Sequence, residues 1–175
     1  MGRVHIPARV KLIVGFISAE IELLKVAQAA LEKAFGRTDY ETGLIDFGWT
    51  DYYEEEMGLK LKRKFLGFKK LVDLDNIYRI KLKTNMLEKR YYKSGKRRIN
   101  IDPGYIDLSK LVLFSTKDYS HRIYLNKGIF ADPALFYRDR TFNPWPWTYP
   151  DYKSEAYINI FNSIRAIYKQ DLSKA

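Results

Sequence analysis

Between residues 116 and 122 the chain gathers Thr116, Lys117, Asp118, His121 and Arg122, which are a hydroxyl, three potential cations and a carboxylate. Lysine and arginine suit phosphate recognition, and a histidine titrating near neutral pH can move a proton. The segment is therefore read as a site for a phosphate-bearing ligand, a nucleotide being one example. Thr116, Lys117, Arg122 and Tyr124 would bind, and His121 and Asp118 are the candidate catalytic pair. If residues 117 to 120 form a hairpin loop, Phe114 faces Ile123, Val112 faces Leu125 and Thr116 faces His121, while Arg122 and Tyr124 project to the other side. The plainer reading is a polar hairpin in which Asp118 bonds turn amides and pairs with a neighbouring cation.

A second constellation is basic. Lys60, Lys62, Arg63, Lys64, Lys69 and Lys70 precede the cluster Lys93, Lys96, Arg97 and Arg98, with Phe65 and Phe68 beside them. Such side chains offer backbone contacts and stacking to nucleic acid, so a non-enzymatic nucleic-acid-binding module is the alternative function. Alternating lysines are also what a strand with one wetted face requires. The acids Asp51, Glu54, Glu55 and Glu56 follow Thr50, a potential cap, and read as a short helical turn, with magnesium ligation by Asp51 and Glu55 as the other reading. Asp102-Pro103-Gly104-Tyr105 has the chemistry of a β-turn. Ten residues from Asp107 to Lys117 span roughly 33 Å if extended, which puts that turn and the 116–122 hairpin at opposite ends of one strand.

Composition narrows the chemistry. No cysteine occurs, which excludes disulfides, thiolate catalysis and cysteine-held metals, and two histidines, His5 and His121, are too few for an imidazole-rich metal site. The expectation is no metal, and composition leaves any other cofactor unassigned. A net charge of +10 favours polyanionic partners or simply a lysine-rich surface. At 175 residues the chain fits one domain, 1–175, burying roughly 70% of its unfolded surface. No apolar run reaches the roughly 20 residues of a membrane span, so a cytoplasmic protein without membrane contact is expected. Arg3, Arg9 and Lys11 before Leu12 to Ile17 outline a faint signal peptide, but the stretch is short and leads straight into an amphipathic pattern.

Those residues must be positioned by elements, and the pattern supplies an α+β order. Val10 to Ile17 reads as a central strand buried on both faces, and Ser18 caps a helix through Ile21, Leu24, Ala27, Leu31 and Phe35 that ends at Gly36. Strands are expected at 43–49 and 59–68. A second helix carries Ile77, Ile80, Thr84, Leu87 and Tyr91, capped by Asp73 or Asp75 and closed by Gly95. Runs at 108–116, 121–126 and 128–137 read as an antiparallel meander, with Pro133 forcing an edge or a bulge. The loop of Trp145, Trp147, Tyr149 and Tyr152 packs on the sheet or presents an aromatic patch to a partner, the basis of a third reading as a structural or protein-interaction domain. Ser154 then caps a last helix with stripe Tyr157, Phe161, Ile164 and Tyr168. The result is a mixed, largely antiparallel sheet with three main helices, arranged either as a ferredoxin-like split βαβ core with a C-terminal β-meander and closing helix or as a different sheet.

Four linked motifs recur in order: TDYYEEEMG at 50–58, NIDPGYIDLSKLVL at 100–113, STKDYSHRIYL at 115–125 and PWTYPDY at 146–152. Together they resemble the bacterial domain-of-unknown-function family 4416 over nearly the whole chain. The resemblance implies no established activity. A GTP-binding label attached to some relatives lacks the pattern G-x-x-x-x-G-K-[ST] here, and Thr116-Lys117-Asp118 is only a three-residue match to a guanine-reading motif. Where the family runs an uninterrupted strand after GIFA, this chain has Asp132-Pro133.

Overall fold

The computed structural model describes residues 2–173. Its frame is β1 (Lys11–Ser18), whose segment KLIVGFIS, apolar from Leu12 to Ile17 apart from Gly15, is buried along its whole length. Strands buried on both faces need this pattern, because neither set of alternating side chains meets water. β1 lies between β4 (Lys62–Phe68) and β5 (Asn100–Ile106), both antiparallel to it. The sheet continues on one side to β2 (Thr38–Glu41), with β3 (Ile45–Asp46) on the start of β4, and on the other through β6 (Lys110–Ser115) and β8 (Ile129–Arg138) to β7 (Ile123–Asn126). β9 (Thr141–Pro144) pairs with the far end of β8.

Two helices cover one face. α1 (Ile21–Phe35) and α3 (Tyr78–Arg90) seal Leu12, Val14 and Phe16 under Leu24, Leu31, Ile80 and Leu87. The other face carries α4 (Glu155–Leu172), whose Tyr157, Phe161 and Ile164 pack on Ile13 and Phe65. The 157, 161, 164, 168 stripe is buried as its spacing requires, and Ser154 accepts from the amide of Tyr157 as the N-cap. A four-residue α2 (Glu54–Met57) drops Met57 beside Ile17, Phe47 and Leu61.

The expected split βαβ core is present in the run β2-β4-β1-β5: β1 and β2 run parallel with β4 between them, and β4 and β5 run parallel with β1 between them, so every neighbouring pair is antiparallel. Other expectations are corrected. The meander is broken, because β6 pairs with β8 and β7 lies outside β8. Residues 116–122 are therefore a crossing loop and not a hairpin, and Phe114 lies opposite Ala131 instead of Ile123. Asp102-Pro103-Gly104-Tyr105 is no turn: it lies inside β5, where Gly104 lets β6 approach so closely that a Cβ would press on the Val112 carbonyl oxygen. The strand expected at 43–49 shrinks to Ile45–Asp46, and β2 is an addition. Ser18 does not cap α1. Its hydroxyl donates to the Arg98 carbonyl and accepts from the Glu20 amide. Neither Asp73 nor Asp75 caps α3, which ends at Arg90, and Gly95 serves the turn between Lys93 and Lys96 instead.

Pro133 fits because β8 bulges there: Leu111 faces Leu135 while Val112 faces Pro133. On the opposite side it falls in the gap between β7 and β9, where the Pro133 and Ala134 carbonyls accept from the Trp147 indole at 2.9 Å and the Thr148 hydroxyl at 2.5 Å. The aromatic loop thus packs on the sheet by closing an interrupted ladder. Among the described residues no helix is long and apolar enough to cross a membrane.

Candidate functional site

The starts of β4 and β5 and the end of β6 meet at one edge of the sheet, and the loops 47–53, 116–122 and 145–152 rise around it. Two adjoining hollows of about 480 and 500 Å³ open there, each large enough for a small organic ligand. They share Tyr52, Tyr53, Asp102, Phe114, Ser115, Lys117 and Tyr149.

Arg63 forms the floor of the first hollow and is 3% exposed. Its Nη2 donates to Asp151 at 2.8 Å, its Nη1 makes a longer contact of 3.5 Å with Asp102, and its guanidinium stands 5.1 Å from the Phe47 ring and 5.2 Å from that of Phe65. The reach to Asp102 crosses β1 at Gly15, which pairs with Phe65 on one side and Asp102 on the other. A Cβ on Gly15 would lie 3.0 Å from Arg63 Nη1, so the glycine that interrupts the apolar run makes room for this crossing. Burial disfavours the guanidinium charge, but the carboxylates of Asp102 and Asp151 outweigh it and hold the group ionised. Burial also pushes the Asp151 carboxyl above its ordinary range against the pull of Arg63.

Arg122 is equally enclosed. Its Nε and Nη2 grip Asp132, at 2.9 and 2.8 Å, its Nη1 donates to the Ser115 hydroxyl and the Lys117 carbonyl, and its Nη2 also reaches the Tyr149 hydroxyl. All five guanidinium donors are engaged within the chain. Arg122 therefore fixes the crossing loop against β8 and Tyr149.

That anchoring leaves Lys117 at the junction of the hollows. Its Nζ stands 4.8 Å from the centre of the Tyr52 ring, and among the described residues no carboxylate lies within ion-pair distance of it. Exposed rings of Trp49, Tyr52, Tyr119 and Tyr149 line the first hollow.

The second hollow is more polar. On α3, Lys81 and Glu88 both face inward, the lysine donating to the Ile101 carbonyl at 2.9 Å and Glu88 accepting from the Ile101 amide. Burial pushes the Glu88 carboxyl up to about 7, against the pull of Lys81 and of that amide. Asp102 belongs to both hollows, accepting from Asn100 at 2.7 Å with Lys81 at 3.9 Å.

The residues expected from sequence separate. Thr116, Lys117 and Arg122 line the hollows, but His121, Asp118 and Tyr124 line neither. His121 stacks on Trp147 at 5.1 Å, with Nε2 3.5 Å from Asp132, and Tyr124 packs edge-on against Phe130. The expected separation of Asp102 from Lys117 is corrected: because Asp102 is in a strand antiparallel to β6, it comes alongside Ser115 and Lys117 instead of standing a strand length away. In the basic segments, Lys62 pairs with Asp46, Lys64 with Glu41, Arg97 with Glu56 and Arg98 with Glu20. Lys96 donates to the Glu55 carbonyl, Lys60 is exposed with a φ of 59°, and Arg63 is buried as described. Among the described residues no group of three or more His, Asp or Glu could hold a metal ion.

Lys81, Glu88, Asp132 and Asp151 were missed by sequence reasoning. Signals existed: positions 81, 84 and 88 follow helical spacing beside the apolar stripe, and Arg63 sits between Leu61 and Phe65 on inward positions of β4. A family model described as "Domain of unknown function (DUF4416)" matches residues 8–168, the span that contains both hollows. Neither a curated protein nor a solved structure matches the chain.

Proposed function

We propose that this chain, which belongs to the DUF4416 family, binds a phosphate-bearing ligand with a planar aromatic part, a nucleotide in the simplest case, in the paired hollows around Lys117. The observation that carries the reading is the ammonium of Lys117, free of carboxylate partners among the described residues and set between exposed aromatic rings and a polar recess. An unpaired cation held in a recess attracts an anion without first breaking an ion pair, and exposed rings stack on any flat heterocycle. The overall charge of +10 adds long-range attraction for such a ligand.

The reading shifts weight within the expected segment. Lys117 makes the ionic contact, Thr116 lines the second hollow, and Arg122 holds the loop that carries them. Thermal unfolding with a panel of nucleoside mono-, di- and triphosphates tests it. At least one nucleotide is expected to raise the midpoint, and Lys117→Ala to abolish the rise while its own midpoint stays within a few degrees of the parent, because the ammonium makes no ion pair and its ring contact is with the exposed Tyr52. Equal stabilisation of parent and variant would remove Lys117 from the site.

A further inference from the structure

The two hollows differ in chemistry, and the difference assigns the two ends of the ligand. The first is walled by aromatic rings around an Arg63 charge already answered by Asp102 and Asp151. The second is lined by Lys81, Lys89, Arg97 and Lys117 against Glu56, Glu88 and Asp102. Glu56 is taken by Arg97, and Asp102 by Asn100 and Arg63. Lys81 donates to the Ile101 carbonyl, which leaves its positive charge in place.

Resting on the nucleotide reading, we propose that the second hollow is the phosphate subsite and that Glu88 enters it as a neutral carboxylic acid donating its proton to a phosphate oxygen. Geometry supports the assignment. One Glu88 oxygen is fixed by the Ile101 amide, while the other meets no hydrogen-bond donor among the described residues and belongs to a side chain lining the hollow. A neutral Glu88 leaves four cations facing two carboxylates. An ionised one would set a third negative charge against the phosphate. Burial of Glu88, which holds its carboxyl near neutrality, keeps the acid form available at the pH where a phosphate monoester is already a dianion. Binding therefore takes up a proton.

The groups facing Glu88 come from several elements: Lys81 and Lys89 on α3, Asp102 on β5, Arg97 ahead of β5, Glu56 on α2, Lys117 after β6, and the phenols of Tyr52, Tyr53, Tyr92 and Tyr149. Tyr53 and Tyr92 are pushed up by burial and remain protonated through pH 8.5. Glu88 is the group in this set whose titration is moved into the neutral range.

The test measures adenosine 5′-monophosphate and adenosine binding between pH 7 and 8.5, above the phosphate's own titration near 6. The monophosphate should bind more tightly than the nucleoside and weaken about tenfold per pH unit in the parent protein. Glu88→Gln, which keeps an acceptor for the Ile101 amide and a neutral donor, should bind with little pH dependence and exceed the parent at pH 8.5. Calorimetry of the parent at pH 8 in two buffers of different ionisation enthalpy should show proton uptake, a readout that stands even if the variant folds poorly. A flat parent profile with no proton uptake overturns the subsite while leaving the nucleotide reading intact. Failure of every nucleotide to bind the parent at pH 7 overturns the reading, and the subsite with it.

Discussion

At the scale of single residues, the site is set by charges withdrawn from water. Glu88 stays buried beside Lys81, and its carboxyl is shifted from 4.5 to about 7 in the fold. A carboxyl whose folded value lies above its unfolded value binds more protons when folded. Stability is then greatest below the unfolded value and falls as pH rises through the window from about 4.5 to 7, flattening above it. The full shift corresponds to about 3 kcal/mol, an upper figure since neighbouring groups share the titration. Glu88→Gln is expected to remove this loss, leaving the variant more stable than the parent at pH 8 and nearly equal at pH 5, as read by urea unfolding. Identical pH profiles for the two proteins would contradict the burial of an uncompensated acid. Arg63 and Arg122 behave differently, each meeting its carboxylates directly, and single removal of a partner in such pairs leaves a buried charge exposed to a poor medium.

At the scale of elements, what was legible in the sequence is what depends on local periodicity. The α4 stripe at 157, 161, 164 and 168 and its Ser154 cap follow from side-chain spacing alone, as does the burial of β1. The order of the first elements also carried the split βαβ core, but pairing beyond it was not legible, because any strand with the right alternation can pair with several others, and the insertion of β8 between β6 and β7 turned an expected hairpin into a crossing loop. Proline and glycine in Asp102-Pro103-Gly104 carry turn chemistry in isolation. In the fold, Pro103 precedes the first residue of β5 that pairs with β6, and Gly104 permits close approach to Val112. Tertiary contact overrode local preference. Half the candidate site was legible for the same reason: Lys117 and Arg122 are close in sequence, whereas Asp102, Lys81 and Glu88 join them only through that pairing. Gly104→Ala is expected to force β5 and β6 apart, costing about 1–3 kcal/mol by analogy with overpacked cores and lowering the thermal midpoint. An unchanged midpoint would show that the close approach is dispensable.

At the scale of the whole molecule, one antiparallel sheet covered by helices on both faces ends at an edge where three loops converge. The surface is basic, yet Lys62, Lys64, Arg97 and Arg98 of the basic segments each meet an acid within the chain. Titrating isotope-labelled protein with adenosine 5′-monophosphate and following backbone amide shifts separates the two surfaces. Saturable shifts are expected at Ile101, Asp102, Ser115 to Lys117 and Tyr149, with Lys69 and Lys70 unmoved. Shifts centred on Lys60 to Lys70 instead, with the cleft amides silent, would contradict the account.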